Sequence, residues 1–246
     1  MIWPPFLAAV RFLTRFPAPD PGALDARAQA WLPLYFPVVG LALGLALWVL
    51  ATLLGYAPAA VTASVLLLAW VSGTGGLHLD GLADSADAWV GGLGSRERTL
   101  DIMKDPMIGA MGAIALVLIL IAKWAAVTAL LDRDTEVLLW LPALARAQLL
   151  LVFLTTPYAG RGGIGGRFAA DLPRGGARVV VAVSWGACLA MLGPHTWGLA
   201  LAAGLLFLLW RHAIMKRLGG FTGDTAGGLV ELTEVAGLMA VSLMPQ

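Results

Sequence analysis

The chain has 246 residues, 59% apolar and only 13% charged, with a mean hydropathy of +0.84 and a formal net charge of +1. That composition excludes an ordinary soluble domain, and the near-zero charge gives no basis for a nucleic-acid partner. A single cysteine, Cys188, excludes a disulfide framework and a cysteine-based metal site.

In chain order, residues 1–16 form an apolar stretch too short to cross a membrane. It carries Arg11 and Arg15 and has no small-residue cleavage site, so it reads as an interfacial helix. Windows long enough for about 30 Å of hydrocarbon follow near 34–54, 57–77, 110–131, 137–156, 178–193, 196–212 and 226–243. The last three are short or interrupted by charge, which gives six or seven spans. The expected fold is all-α: a polytopic integral-membrane helical bundle with an N-terminal interfacial helix. No repeat or soluble segment divides it, so residues 1–246 form one domain. Trp31, Trp140 and Trp197 sit near span ends as interfacial anchors.

Charge is unevenly distributed along the chain. The connections at 55–57 and 193–195 carry no Lys or Arg, and 132–136 carries one. Arg96, Arg98 and Lys104 share one intervening loop. Arg161, Arg167, Arg174 and Arg178 share the next, and Arg211, Lys216 and Arg217 precede the final span. The positive-inside rule places these segments and the N-terminus in the cytoplasm, in a cell (inner) membrane. Asp132, Asp134 and Glu136 then belong to a solvated outer loop.

The unusual polar residues fall on the cytoplasmic side. Asp80, Asp84 and Asp87 follow Gly75-Gly76 at i, i+4 and i+7, within about 60° of one another on a helix. Three carboxylates so close repel unless cations neutralise them, and Mg²⁺ takes carboxylate oxygens together with substrate phosphates. A solvated acidic helix end is the plainer alternative, but it leaves the flanking glycines and the membrane-boundary location unexplained. His78 points away from this stripe and reads equally as a packed or a substrate-binding histidine. Ser95 is the expected N-cap of a second helix, and Lys104-Asp105-Pro106 marks a turn. The glycine-rich run 157–168, with Arg161 and Arg167, is able to wrap a phosphate or diphosphate. A last motif, 218–234, offers Thr222 at a helix N-terminus, then Asp224, Glu231 and Glu234. Lys123 and Arg146 lie within spans at similar depth and must face the bundle interior, where pairing with Glu231 or Glu234 is the simplest account.

Two acidic clusters and an arginine–glycine loop on one membrane face suggest metal-dependent phosphoryl- or nucleotidyl-type transfer. The run from Gly75 to Asp87 resembles the signature of the cobalamin synthase (adenosylcobinamide-GDP ribazoletransferase) family. Arg98 to Gly109 with Lys104-Asp105, Leu218 to Thr225 with Glu231 and Glu234, Phe12-Leu13-Thr14-Arg15-Phe16-Pro17 and Phe36-Pro37-Val38-Val39-Gly40 are similar to it as well. Ala88 and Met107 depart from the family pattern.

The resemblance implies that α-ribazole, or its 5′-phosphate, attacks the diphosphate of adenosylcobinamide-GDP with Mg²⁺ and releases GMP. It implies metal ligands among Asp80, Asp84, Asp87, Asp105, Asp224 and Glu231, with Asp87 or Asp84 catalytic. Substrate contacts would come from His78, Lys104, Arg161, Arg167 and Thr222. The expected partners are the two substrates and membrane lipid, and homo-oligomerisation is left open. The rivals are a CDP-alcohol-type membrane phosphotransferase and a small transporter using Lys123, Arg146, Glu231 and Glu234.

Overall fold

The apolar windows fold as helices in a computed structural model that describes residues 3–160, 162–191, 193 and 196–244. The short helices are α1 (Trp3–Leu13), α2 (Ala26–Trp31), α6 (Arg96–Ile102) and α9 (Ile164–Asp171). The longer ones are α3 (Phe36–Leu53), α4 (Ala59–Thr74), α5 (Leu77–Gly91), α7 (Ala110–Leu130), α8 (Glu136–Thr155), α10 (Arg174–Met191), α11 (Thr196–Leu218) and α12 (Gly223–Ser242). No strand occurs among the described residues. One isolated bridge joins Tyr158 to Phe221.

By length and apolarity four of these helices are able to cross a membrane: α3 with the turn before it, α7, α8 and α11. Together α4 and α5, joined across an 86° bend, pass the same test as a pair, which gives five candidate crossings if the pair is one span. The seven sequence windows all fall on helices, yet α10 and α12 fail the apolarity or charge criterion. Asp224, Glu231 and Glu234 account for the failure of α12. The bend has a local cause. Gly75 and Gly76 both adopt left-handed backbone, φ +65° and +71°, which side-chain-bearing residues rarely take. The bend sets α5 nearly perpendicular to α4.

The centre of the bundle is α8, with 78% of its apolar window buried against 28% for α7 and 22% for α11. The outer helices turn Val117, Leu118, Ile121, Leu201, Leu205 and Leu208 outward, as a lipid-facing surface requires. Gly40 and Gly44 let α3 lie directly on α8. A Cβ at Gly44 would overlap the Leu139 carbonyl oxygen, and one at Gly40 the carbonyl of Pro142. Backbone cannot yield as a side chain can. Gly44→Val is therefore expected to cost more than about 3 kcal/mol, whereas Gly204→Ala, which meets no atom within 4 Å, changes stability little. Thermal unfolding in detergent checks the contrast.

Lys123 on α7, Arg146 on α8, and Glu231 and Glu234 on α12 close a buried ion network. Lys123 Nζ lies 2.7 Å from both Glu231 Oε2 and Glu234 Oε2, and Arg146 donates to Glu234 Oε1. Lys123 also stands 4.5 Å from the Trp70 ring centroid on α4. The pairing anticipated from sequence is thus realised, with two positive charges balancing two negative ones. Glu231, expected as a metal ligand, stands in this network as an ion-pair partner of Lys123.

Basic residues at one end of the bundle dock on helix C-termini, whose last carbonyls lack helical partners. Arg96 donates to Leu218 O, Arg98 to Gly91 O, Arg217 to Trp89 O, Arg174 to Leu154 O and Arg211 to Thr155 O. At the other end, Arg133 donates to Met244 O and joins the 132–136 turn to the end of α12.

Candidate active site

The acidic stripe of α5 faces the start of α12. Gly81 makes this crossing close: a Cβ there would sit 2.7 Å from Asp224 O and 2.9 Å from Asp224 Cα. Gly227 and Gly228 continue the contact against His78 and Leu82. Small residues at the crossing let two acidic segments meet where bulkier ones would hold them apart.

Asp84 stands among these carboxylates. Burial first, then the charges of Asp80, Asp224 and Asp87, push its carboxyl from an ordinary 3.8 up to about 7. Asp224 precedes the apolar part of α12. Its carboxyl is also pushed up, chiefly by burial and further by Asp80, against the lowering effect of hydrogen bonds from its own N–H and Thr222. Asp80 is exposed.

Asp87 is turned the other way. Its Oδ2 accepts the Gly109 N–H at 2.7 Å and its Oδ1 the Gly112 N–H at 2.8 Å. It thereby caps α7 from a neighbouring helix, next to the positive end of the helix dipole. The two glycines are needed, because a Cβ at either would overlap the Asp87 carboxylate. Both oxygens of Asp87, one of the two residues expected to be catalytic, are engaged by this clamp.

The remaining expected residues are distributed as follows. Thr222 is buried and forms a capping box with Thr225: Thr225 N–H donates to Thr222 Oγ1 at 3.2 Å, and Thr222 N–H to Thr225 Oγ1 at 2.8 Å. Its hydroxyl is directed to helix capping rather than to a free phosphate position. Asp105 is exposed, and its Oδ1 accepts the Met107 N–H across Pro106. Lys104 is exposed beside it, and Ser95 caps α6 as its spacing predicts. Arg161 lies outside the described residues. Arg167 is exposed on α9, lining a cavity of about 380 Å³ with Gln29 and Asp171.

The glycine-rich loop has a packing explanation absent from the motif reading. Gly160, Gly163, Gly165 and Gly166 all lie against the Tyr158 ring, and Tyr158 OH donates to Gly162 O at 2.6 Å. Backbone pairing fixes this loop to the start of α12, with Ala159 N–H donating to Phe221 O at 2.8 Å and Phe221 N–H to Pro157 O at 2.9 Å. Asp224 and burial together raise the Tyr158 phenol above its usual range, burial contributing most.

A second cavity, about 190 Å³, opens beside the carboxylates. Asp80 and Asp224 line it together with His78 and aromatic rings from several elements. His78 is buried, and its Nε2 has no hydrogen-bond partner. The distance in sequence between the contributing elements explains why no motif announces this cavity.

Among the described residues, no three His, Cys, Asp or Glu side chains are already closed around a single ion position. The donor chemistry nevertheless suits a hard cation: all-oxygen ligands, on two facing helices, mutually repelling. Mg²⁺ usually takes one or two carboxylates and completes its octahedron with waters and substrate phosphates, so a closed protein cage is not required.

The family model described as cobalamin-5-phosphate synthase matches residues 5–242. The chain is 48% identical over 242 residues to a Pseudomonas fluorescens protein named adenosylcobinamide-GDP ribazoletransferase, covering 97% of this chain and 99% of the relative. Proteins of the same name from Pseudomonas entomophila (47% identical, 98% of this chain and 99% of the relative) and Stutzerimonas stutzeri (47%, 97% and 98%) are similar over their whole lengths. No solved structure matches the chain. The Gly75–Asp87 and Leu218–Glu234 motifs, which meet at the α5–α12 crossing, therefore sit within a full-length relationship: the chain belongs to the cobalamin-5-phosphate synthase family.

Proposed function

We propose that this protein is an adenosylcobinamide-GDP ribazoletransferase. It joins α-ribazole, or its 5′-phosphate, to adenosylcobinamide-GDP and releases GMP, the last step of nucleotide-loop assembly in cobalamin synthesis. The names of its relatives support the substrates. The observation that carries the chemistry is the meeting of Asp80 and Asp84 with Asp224 across Gly81, beside a cavity of about 190 Å³.

In this reading a hydroxyl of the ribazole attacks the phosphorus that bears the cobinamide. A new P–O bond forms, the P–O bond to GMP breaks, and the hydroxyl proton passes to a carboxylate. Asp84 and Asp224 would supply oxygen ligands for Mg²⁺, which would neutralise charge on the diphosphate and on departing GMP. The proton acceptor has to reach the cavity mouth. Asp80 does so and is exposed, whereas both oxygens of Asp87 are held by α7. Asp80 is therefore assigned as the base, and Asp87 as the clamp that fixes α5 against α7. Exposed Lys104 and Arg167 would provide cations for phosphate.

The Lys and Arg distribution supports a cytoplasmic site in a cell (inner) membrane, where a guanylated substrate is available. A transporter reading loses its proposed midplane site, because Lys123, Arg146, Glu231 and Glu234 neutralise one another. Purified protein in lipid, given adenosylcobinamide-GDP, α-ribazole and Mg²⁺, is expected to release one GMP per phosphodiester formed. Absence of GMP under these conditions, with the protein folded, rejects the reading.

A further inference from the structure

We propose that the 190 Å³ cavity seats the flat aromatic base of the ribazole. This inference rests on the transferase reading and adds to it a location and a recognition chemistry for one substrate.

The walls favour an aromatic occupant. Phe12, Phe36, Phe153, Phe168 and Phe221 come from α1, α3, α8, α9 and the segment before α12, and all line the cavity. They already form an aromatic framework: Phe12 and Phe36 stack at 5.9 Å, Phe153 and Phe221 stack at 5.2 Å, and Phe168 meets Phe36 edge-on at 5.9 Å. Another ring entering this set gains offset-stacked or edge-to-face contacts.

Volume narrows the choice. A dry cavity of about 150 Å³ holds benzene. Some 190 Å³ therefore suits one fused bicyclic base, and a corrin macrocycle cannot enter.

Polarity narrows it further. A benzimidazole joined to ribose through one ring nitrogen keeps a single acceptor, the other nitrogen, and so brings little polarity into apolar walls. Guanine would bring several donors and acceptors into phenylalanine walls and leave most of them unsatisfied.

The placement also fits the reaction. Asp80 and Asp224 border the same cavity, so a base seated there leaves its ribose at the carboxylates, where a hydroxyl has to be delivered to the diphosphate.

The test uses the full chain in lipid nanodiscs, with KM determined for each substrate separately. Ala226, buried on α12 and lining the cavity, is replaced by a larger side chain in Ala226→Leu. The expected result is a KM for α-ribazole at least tenfold higher and a KM for adenosylcobinamide-GDP within twofold of wild type. Phe153→Leu, which enlarges the cavity, is expected to shift preference toward a riboside with a tricyclic base. A wild type that releases GMP, with variants that alter only the KM for adenosylcobinamide-GDP, overturns the base assignment and leaves the transferase reading intact. A folded wild type that releases no GMP overturns the transferase reading itself.

Discussion

Asp84→Asn is expected to lower GMP formation by about a thousandfold or more, equivalent to ~4 kcal/mol of transition-state stabilisation. The exchange preserves size and helical geometry and removes the carboxylate that stands among Asp80, Asp87 and Asp224. Stability should move the other way. In the metal-free folded protein the Asp84 carboxyl is raised from 3.8 to about 7, by burial first and then by its acidic neighbours. The folded state therefore binds the proton more tightly than the unfolded chain, and stability falls as pH rises from about 4 to 7. Above that range the wild type carries the full unfavourable charge, and the Asn variant does not. Without divalent cation, Asp84→Asn should melt at or above the wild-type temperature at pH 8 and indistinguishably from it at pH 4. A loss of activity accompanied by a lower melting temperature at pH 8 would instead point to a structural role.

The second large effect belongs to the bundle core. Glu234→Ala removes the carboxylate shared by Lys123 and Arg146 and leaves surplus positive charge among residues no more than 3% exposed. Breaking a buried ion pair on one side costs about 3–5 kcal/mol, because an uncompensated charge remains. Since α7, α8 and α12 all contribute to the network, the cost should appear as loss of the folded bundle rather than as a local kinetic defect. Lys123→Met should be similarly damaging alone. Combining it with Glu231→Gln restores neutrality and should recover part of the loss, a coupling measurable by a double-mutant cycle in detergent unfolding. Additive losses would mean that Lys123 and Glu231 stabilise the bundle independently.

The sequence disclosed the features that depend on local pattern or on an unavoidable physical cost. Apolar windows marked the helices. The aspartate spacing placed Asp80 and Asp84 together on α5, though Asp87 turns to α7 instead, and Lys123 and Arg146 inside apolar runs demanded acidic partners, which Glu231 and Glu234 supply. Features created by long-range approach were hidden. The clamp on Asp87 depends on Gly109 and Gly112 being 22 and 25 residues away, although their lack of side chains was a clue. Tyr158 explains the glycines of the 160–166 loop only once its ring is seen against them. The aromatic cavity draws on α1, α3, α8, α9 and the approach to α12, so no spacing rule could assemble it. Thr222 and Asp105 were visible as polar residues, but their hydrogen bonds serve a helix cap and a turn. Basic loop residues followed membrane orientation in the sequence reading; the fold adds that Arg96, Arg98, Arg174, Arg211 and Arg217 cap helix ends.

The central claim is that the facing ends of α5 and α12 hold a divalent cation together with a substrate diphosphate. Electron paramagnetic resonance with Mn²⁺ in place of Mg²⁺ tests it directly, on the full chain in lipid with a GDP-bearing substrate present and no ribazole. The account predicts a bound-ion signal in the wild type that requires the diphosphate and is lost when Asp84→Asn and Asp224→Asn are combined. Undiminished Mn²⁺ binding in the folded double variant would contradict it.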